Sequence, residues 1–431
     1  MLKGWLLRER SKMSLNVFVY GNHSCSNRGD LAIARGLIDW IRGYQPEAVI
    51  TLYTRFPGSA ELFLGDSANI ERDPLEKFYA ERRGKLDLIR KALLKRFLAL
   101  YLALGLWKIF GLTKAHKKFL IDLKECDLFV QVGGSFFVDV YSIGQFEGML
   151  LARIAGVPVI CCGHSVGPFT GGLFRYVARR AFDNGAMWLL RENESLKLME
   201  KAGIPTDSIR ESGDTAWLLP VSSPPPDVPT TQDRPFVAMT VRQLAPFDRV
   251  LGLSQEKYEN EVAHVADGLV ERGFIVCFVS TCTGLEGYWR DDRMVALRIQ
   301  RAMEQHEYSK VIMDEWSDLE LGAFMGSCRL VVATRLHSAI LSMRFGTPAI
   351  VLGYEHKSAG VCQRLGVEEL NYPLELGINA DQLLSGIDSV IAAEDDYRQR
   401  ITKGVQAEIE LIESVHAEIL GPYLRKERPR G

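Results

Sequence analysis

The sequence predicts an α/β protein made of two doubly wound, Rossmann-like domains facing a central cleft. Three observations predict it. Short apolar runs alternate with amphipathic stretches along both halves of the chain. Several of those runs end directly in Gly, Asn, Arg or His, where a strand hands over to a helix. A Pro-rich stretch over 221–235 separates one series from the other and reads as an extended linker.

The bulk numbers agree with two folded domains. The chain has 431 residues, 47% of them hydrophobic and 25% charged. A formal net charge of −2 gives no global attraction to nucleic acid, and none is expected as a partner. Eight cysteines lack metal-type spacing and read as buried thiols of a reducing cytoplasm, with no metal site. Residues 1–12 are too short in apolar content for a signal peptide, and Met13 is a candidate alternative start. No run approaches the ~20 apolar residues of a membrane span.

The first domain is expected over 13–220. Its strands are Asn16–Tyr20, Ala48–Tyr53, Leu128–Val132, Val157–Cys162 and Met187–Leu190, with helices near Leu31–Tyr44 and Ser195–Ala202. A helical insertion at about 76–125 breaks the rhythm. Its Lys and Arg residues surround the apolar run Phe97–Trp107, so it reads either as an interfacial helix resting on a bilayer or as an excursion packing on its own domain. The second domain is expected over 236–431. Strands are predicted at Phe236–Val241, Phe274–Ser280, Lys310–Met313, Leu330–Ala333 and Pro348–Gly353, with helices between them and one long closing helix from about Ala380 to Leu420. Two such layouts across one linker correspond, by analogy, to a GT-B-like fold.

In open α/β sheets ligands bind beyond the carboxyl ends of the strands, so the residues there are the candidates. Arg335 and His337 follow the run Leu330–Ala333 and precede a helix. A permanently charged Arg beside a His that titrates near neutrality suits an anionic substrate that must be protonated. Gly133 and Gly134 follow another strand; their amides could line an anion pocket or simply make a tight turn. Asp139 reads as an acceptor for sugar hydroxyls or as a cap. Asn27 and Asp30 lie at a helix start, where Asp30 has an N-cap reading beside a cleft-facing one. His164 is a strand-end His with a structural alternative. Arg191 and Arg242 could clamp a phosphate or carboxylate; the alternative for Arg191 is an ion pair with Glu192 or Glu194. Lys357 could reach an anion, and Glu355 sugar hydroxyls. The chain has no phosphate-binding P-loop and no H-E-x-x-H motif.

These segments together carry a resemblance. Gly21–Asp30, Gln131–Asp139, Gly163–Phe169, Asp214–Leu218, Leu244–Asp248, Ser280–Gly284, Asp291–Leu297, Thr334–Ile340 and Tyr354–Gly360 resemble the polysaccharide pyruvyl transferase family, most closely the type acting in colanic acid and amylovoran synthesis. The resemblance spans about residues 15–420 and is poor over 60–125. It implies phosphoenolpyruvate as donor, with no separate cofactor, and transfer of pyruvate as a ketal onto two hydroxyls of a sugar, with phosphate released. By resemblance Arg335 binds the phosphate, His337 is the acid and Arg191 holds the same anion. Asp139, His164, Arg242 and Lys357 are weaker carry-overs. The acceptor, free or lipid-linked, and a peripheral membrane contact through the basic apolar insertion stay open. The rival readings are a nucleotide-sugar glycosyltransferase of the same fold and a non-catalytic assembly scaffold.

Overall fold

Each apolar run feeds the next through a helix that covers a sheet face, and this builds two parallel sheets. A computed structural model describes residues 15–76, 85–182, 185–221, 224–228, 233–354 and 357–425. Residues 1–12 and Met13, part of the Pro-rich linker, and Glu355 lie outside the described residues. The first sheet contains β1 (Asn16–Asn22), β2 (Val49–Thr54), β3 (Asn69–Arg72), β4 (Leu128–Gln131), β5 (Gly134–Phe137), β6 (Val159–Val166), β7 (Ala186–Leu190) and β8 (Ile209–Glu211). Its order is β3-β2-β1-β4-β6-β7-β8, with β5 added alongside β6. The second sheet contains β9 (Phe236–Thr240), β10 (Ile275–Phe278), β11 (Ser309–Val311), β12 (Leu330–Ala333), β13 (Ala349–Gly353) and β14 (Asn371–Pro373), in the order β11-β10-β9-β12-β13-β14. Each sheet therefore reverses its direction of growth once, between β1 and β4 and between β9 and β12. Such switch points open a crevice at the strand ends. The GT-B-like expectation is met.

Three local readings are corrected. The strand expected to stop at Cys162 runs on to Val166, with every residue buried. Gly163, at φ 65°, absorbs a register slip against β7 between Cys161 and His164, so the glycine bends the strand instead of ending it. The Gly-Gly segment opens β5 rather than a turn into a helix. Finally, the closing helix is two, Ala380–Ala392 and Glu394–Ile419. Ala393 leaves helical geometry at φ −115° and ψ 26°, and the acidic run Glu394-Asp395-Asp396 starts a new helix with charges that suit its amino end.

The second of these helices crosses back to the first domain. Ile412 presses on Gly213, where an added Cβ would lie 2.8 Å from its side chain. His416 meets Trp40 edge-on at 4.9 Å. The insertion forms helices Lys85–Ala103, Trp107–Phe110 and Lys114–Lys124. One side packs on its own domain through Leu98, Ala99, Leu102, Phe119 and Leu123, as the excursion reading expects. The other leaves Leu93, Phe97, Ile109, Phe110 and Ile121 exposed, the last three at 75%, 75% and 62%. No described helix is long and apolar enough to cross a membrane.

The two domains are joined at the cleft floor. The loop before Arg28 pairs with the segment after β10: Arg28 N donates to Thr281 O at 2.7 Å, and Thr283 N to Ser26 O at 3.0 Å. Arg28, only 1% exposed, bonds Glu315 at 2.7 Å, and Arg35 bonds Asp318 at 2.9 Å.

Candidate active site

β12 delivers Arg335 to the N-cap of the helix Leu336–Arg344 and places His337 in its first turn. Arg335 grips Asp292 with two hydrogen bonds, Nε to Oδ2 at 2.7 Å and Nη2 to Oδ1 at 2.8 Å. Burial works against its charge, but Asp292 outweighs burial and holds the guanidinium above its usual range. His337 crosses the cleft: its Nε2 lies 3.3 Å from Asp214 Oδ2, on the first domain. Asp214 also accepts from Arg191 Nη1 at 2.5 Å. Burial opposes ionisation of Asp214, yet Arg191 and His337 keep its carboxyl well below the usual carboxylate range.

Arg191 follows β7 and is fully engaged. Its Nε donates to Ser165 Oγ at 2.7 Å and its Nη2 to Ser135 Oγ at 3.0 Å. The ion-pair alternative for Arg191 takes Asp214 as its partner in place of Glu192 or Glu194, which are engaged by Ser195 and Lys197. Lys357 comes from the second domain and donates to the same Ser135 Oγ at 2.9 Å. Arg191 and Lys357 thus converge on one hydroxyl from opposite walls.

The loop Asn27–Asp30 closes the site from a third side. Asn27 caps the helix Arg28–Tyr44, its side chain accepting from Gly29 N at 3.0 Å. Gly29 has no side chain because His337 lies against it: a Cβ there would sit 2.6 Å from His337 Cβ and Cγ. Asp30 takes the cleft-facing reading. Burial pushes its carboxyl up to about 6, with His337, Arg335 and Arg191 pulling the other way.

Arg242 is 6% exposed and stacks over Tyr354 at 4.3 Å and Phe247 at 5.2 Å. Nearby Arg290 donates to Ala245 O at 2.8 Å and covers Trp289 at 3.9 Å. Burial lowers the Arg290 guanidinium, and repulsion from Arg242 and Arg335 adds to this. Neither Arg242 nor Arg290 has a carboxylate partner among the described residues. The site therefore holds more cationic than anionic side chains and can bind a compact, multiply charged anion beside an imidazole.

Other sequence candidates sit elsewhere. His164 is wholly enclosed, 5.1 Å from Phe137 and 5.8 Å from Trp188. Burial, then Arg191, lowers its ring to about 3, so it stays neutral in the core; its backbone oxygen accepts from Arg191 N at 3.2 Å. Asp139 opens a 3-10 turn after β5. One oxygen of its carboxylate, Oδ2, accepts from Thr170 N at 2.7 Å and Gly171 N at 3.3 Å. Gly133 is explained by packing, because a Cβ would meet Cys162 O at 2.7 Å; Gly134 adopts φ 144°. Asp214, Asp292, Ser135, Ser165 and Arg290 were not singled out as site residues by sequence reasoning. Gly213-Asp214 after a short strand is the one local signal that could have found a member of this set. Among the described residues no group of His, Cys, Asp and Glu is placed to hold a metal ion.

Comparison with known proteins fits this geometry. The sequence model of the family described as polysaccharide pyruvyl transferase matches residues 27–356. The amylovoran biosynthesis protein AmsJ of Erwinia amylovora is 37% identical over 414 residues, covering 94% of this chain and 99% of that protein. Among solved structures, a glycosyltransferase from Rickettsia africae superposes with a TM-score of 0.55 at 12% identity, covering 96% of this chain and 99% of that one. The UDP-GlcNAc 2-epimerase of Methanocaldococcus jannaschii gives 0.52 at 12%, covering 87% and 92%. These two show a shared fold.

Proposed function

Since the chain belongs to the polysaccharide pyruvyl transferase family, we propose that it moves pyruvate from phosphoenolpyruvate to two hydroxyls of a sugar in an exopolysaccharide repeat unit. The product is a cyclic pyruvyl ketal, and phosphate is released. The observation that carries this reading is the His337–Asp214–Arg191 chain, with Arg335 two residues from the imidazole.

Phosphoenolpyruvate carries a phosphate and a carboxylate on three carbons, which matches a pocket of converging arginines. His337, held by the Asp214 carboxylate, gives its proton to the methylene carbon. The adjacent carbon becomes electron-poor and a sugar hydroxyl adds there, losing its proton. The C–O bond to phosphate breaks, Arg335, Arg191, Arg242 and Lys357 stabilising the departing charge. The second hydroxyl closes the ring and loses its proton. Asp30, half-buried beside His337, would receive a hydroxyl proton. Phosphoenolpyruvate is a co-substrate, and the reaction calls for no further cofactor. The colanic acid type of repeat unit, a lipid-linked acceptor, and peripheral contact with the inner face of the cytoplasmic membrane through the exposed apolar side of the insertion belong to the same proposal.

A thermal-shift titration with phosphoenolpyruvate beside UDP- and GDP-sugars tests it. A ligand that binds only the folded state raises Tm. Stabilisation by phosphoenolpyruvate, weakened in Arg335→Ala, supports pyruvyl transfer. A shift with a nucleotide sugar only replaces this reading with glycosyl transfer, and no shift with any donor favours the scaffold.

A further inference from the structure

A second polar cleft lies in the first domain, beyond the carboxyl ends of β1 and β4. Solvent has access to about 80 Å³ of it. This is the switch point of the first sheet, where a ligand crevice is expected. The segment Gln131–Ser135, which passes from β4 into β5, leads from this cleft to Ser135, the hydroxyl shared by Arg191 and Lys357. A molecule here would adjoin the anion site on the same sheet edge.

The lining is polar and planar. Gln131, Gln145 and Arg55 offer amide and guanidinium groups beside the rings of Tyr53 and Phe136, while Asn22 and Asp73 line the cleft with groups bonded within the protein. Neighbouring ring hydroxyls are recognised by such planar groups, and the apolar face of a sugar by an aromatic one. Gln131 is 4% exposed, and its Oε1 is buried without a hydrogen-bond partner among the described residues. A buried amide oxygen left unmade costs stability, so folding alone does not account for it. Gly21 leaves room for that amide: a Cβ would lie 1.8 Å from Gln131 Nε2. Asp73 is 7% exposed and held by Tyr20 Oη at 2.9 Å and Leu75 N at 2.8 Å.

The outer wall comes from the insertion. Lys95, on the helix Lys85–Ala103, lines the cleft and pairs with Glu76, as does Lys91 at 3.1 Å. Arg55 reaches the same carboxylate at 3.4 Å and His23 at 3.1 Å. The segment that resembles the family least thus closes the cleft.

We propose that this cleft is the acceptor subsite, which takes one hexopyranose ring of the sugar through its hydroxyls, with the insertion setting which ring fits. It rests on the pyruvyl-transfer reading above.

Saturation-transfer NMR on the full chain tests it, with the methyl glycosides of glucose, galactose and mannose as probes. At least one glycoside should show ring-proton saturation in the unaltered protein and in Arg335→Ala. Arg55→Ala and Gln131→Leu should weaken it by about tenfold or more, as loss of a hydrogen bond to a charged or buried group implies. Both variants should keep the phosphoenolpyruvate-induced Tm shift, which also reports that they fold. Saturation that survives both pocket variants, or no saturation of any glycoside in a protein that binds phosphoenolpyruvate, overturns the assignment. Absence of the phosphoenolpyruvate shift in the unaltered protein overturns the pyruvyl-transfer reading separately, because the NMR measurement needs no donor.

Discussion

The two walls of the cleft treat positive charge differently. On the first domain Arg191 is bound on every side, by Asp214, Ser165 and Ser135. On the second, Arg335 is bound by Asp292, while Arg242 and Arg290 lie over aromatic rings without a carboxylate partner among the described residues. An arginine already neutralised fixes geometry; one that is not supplies net field to an incoming anion. The first wall is a frame and the second wall is the attractor.

The largest effect should come where the walls meet. His337→Ala should keep the phosphoenolpyruvate-induced Tm shift and lose kcat by about 10³, the usual worth of a general acid. Near-normal turnover, by phosphate release, would end the mechanism. Next is the frame. Arg191→Met leaves Asp214 charged in a buried site and should cost about 3–5 kcal/mol of stability by denaturant titration. If that variant proved as stable as the parent, the frame would be no frame.

The attractor should behave in the opposite way. Arg290→Met removes a charge that its neighbours repel, so stability should change by less than about 0.5 kcal/mol. Affinity for phosphoenolpyruvate should fall by about tenfold, measured by calorimetry. Equal losses of stability in Arg191→Met and Arg290→Met would erase the contrast.

The last effect concerns Asp30. Its folded carboxyl titrates at about 6, above the usual carboxylate range. The native state then binds more protons than the unfolded state from about pH 4 to 6. Stability therefore falls as pH rises through that window, and the loss persists above it. Asp30→Asn should remove this slope and gain on the order of 1–2 kcal/mol at pH 7, with little gain at pH 4. A parallel pH profile in the variant would refute it.

Much of this was legible in the sequence, and the limits were physical. The run Leu330–Ala333 is buried on both faces, so its apolar content alone marked the strand and put Arg335 and His337 at its end. The alternation of such runs carried the GT-B-like fold. The partners of the arginines were not legible. Asp292 lies 43 positions from Arg335, and Asp214 lies 123 from His337, so no local pattern reports the pairing. In the sequence His164 looks like a strand end because Gly163 looks like a stop; only the bulge shows that the strand continues. The break at Ala393 was hidden because alanine is a good helix former and nothing at that position forbids a helix. The insertion packs on its own domain, as the excursion reading expects, and leaves apolar side chains exposed on its other side.

The returning helix has a consequence for synthesis. Asp214 stands beside Gly213, which rests on Ile412, and Ser212 O is held by Arg364, itself gripped by Glu408. Domains tend to fold as they leave the ribosome, amino end first. Here the first domain emerges lacking the support for its own Asp214 loop, which arrives some two hundred residues later with positions 408 and 412. The nascent chain can build its first sheet early, but the Asp214 loop stays without its final support until positions 408 and 412 have been made.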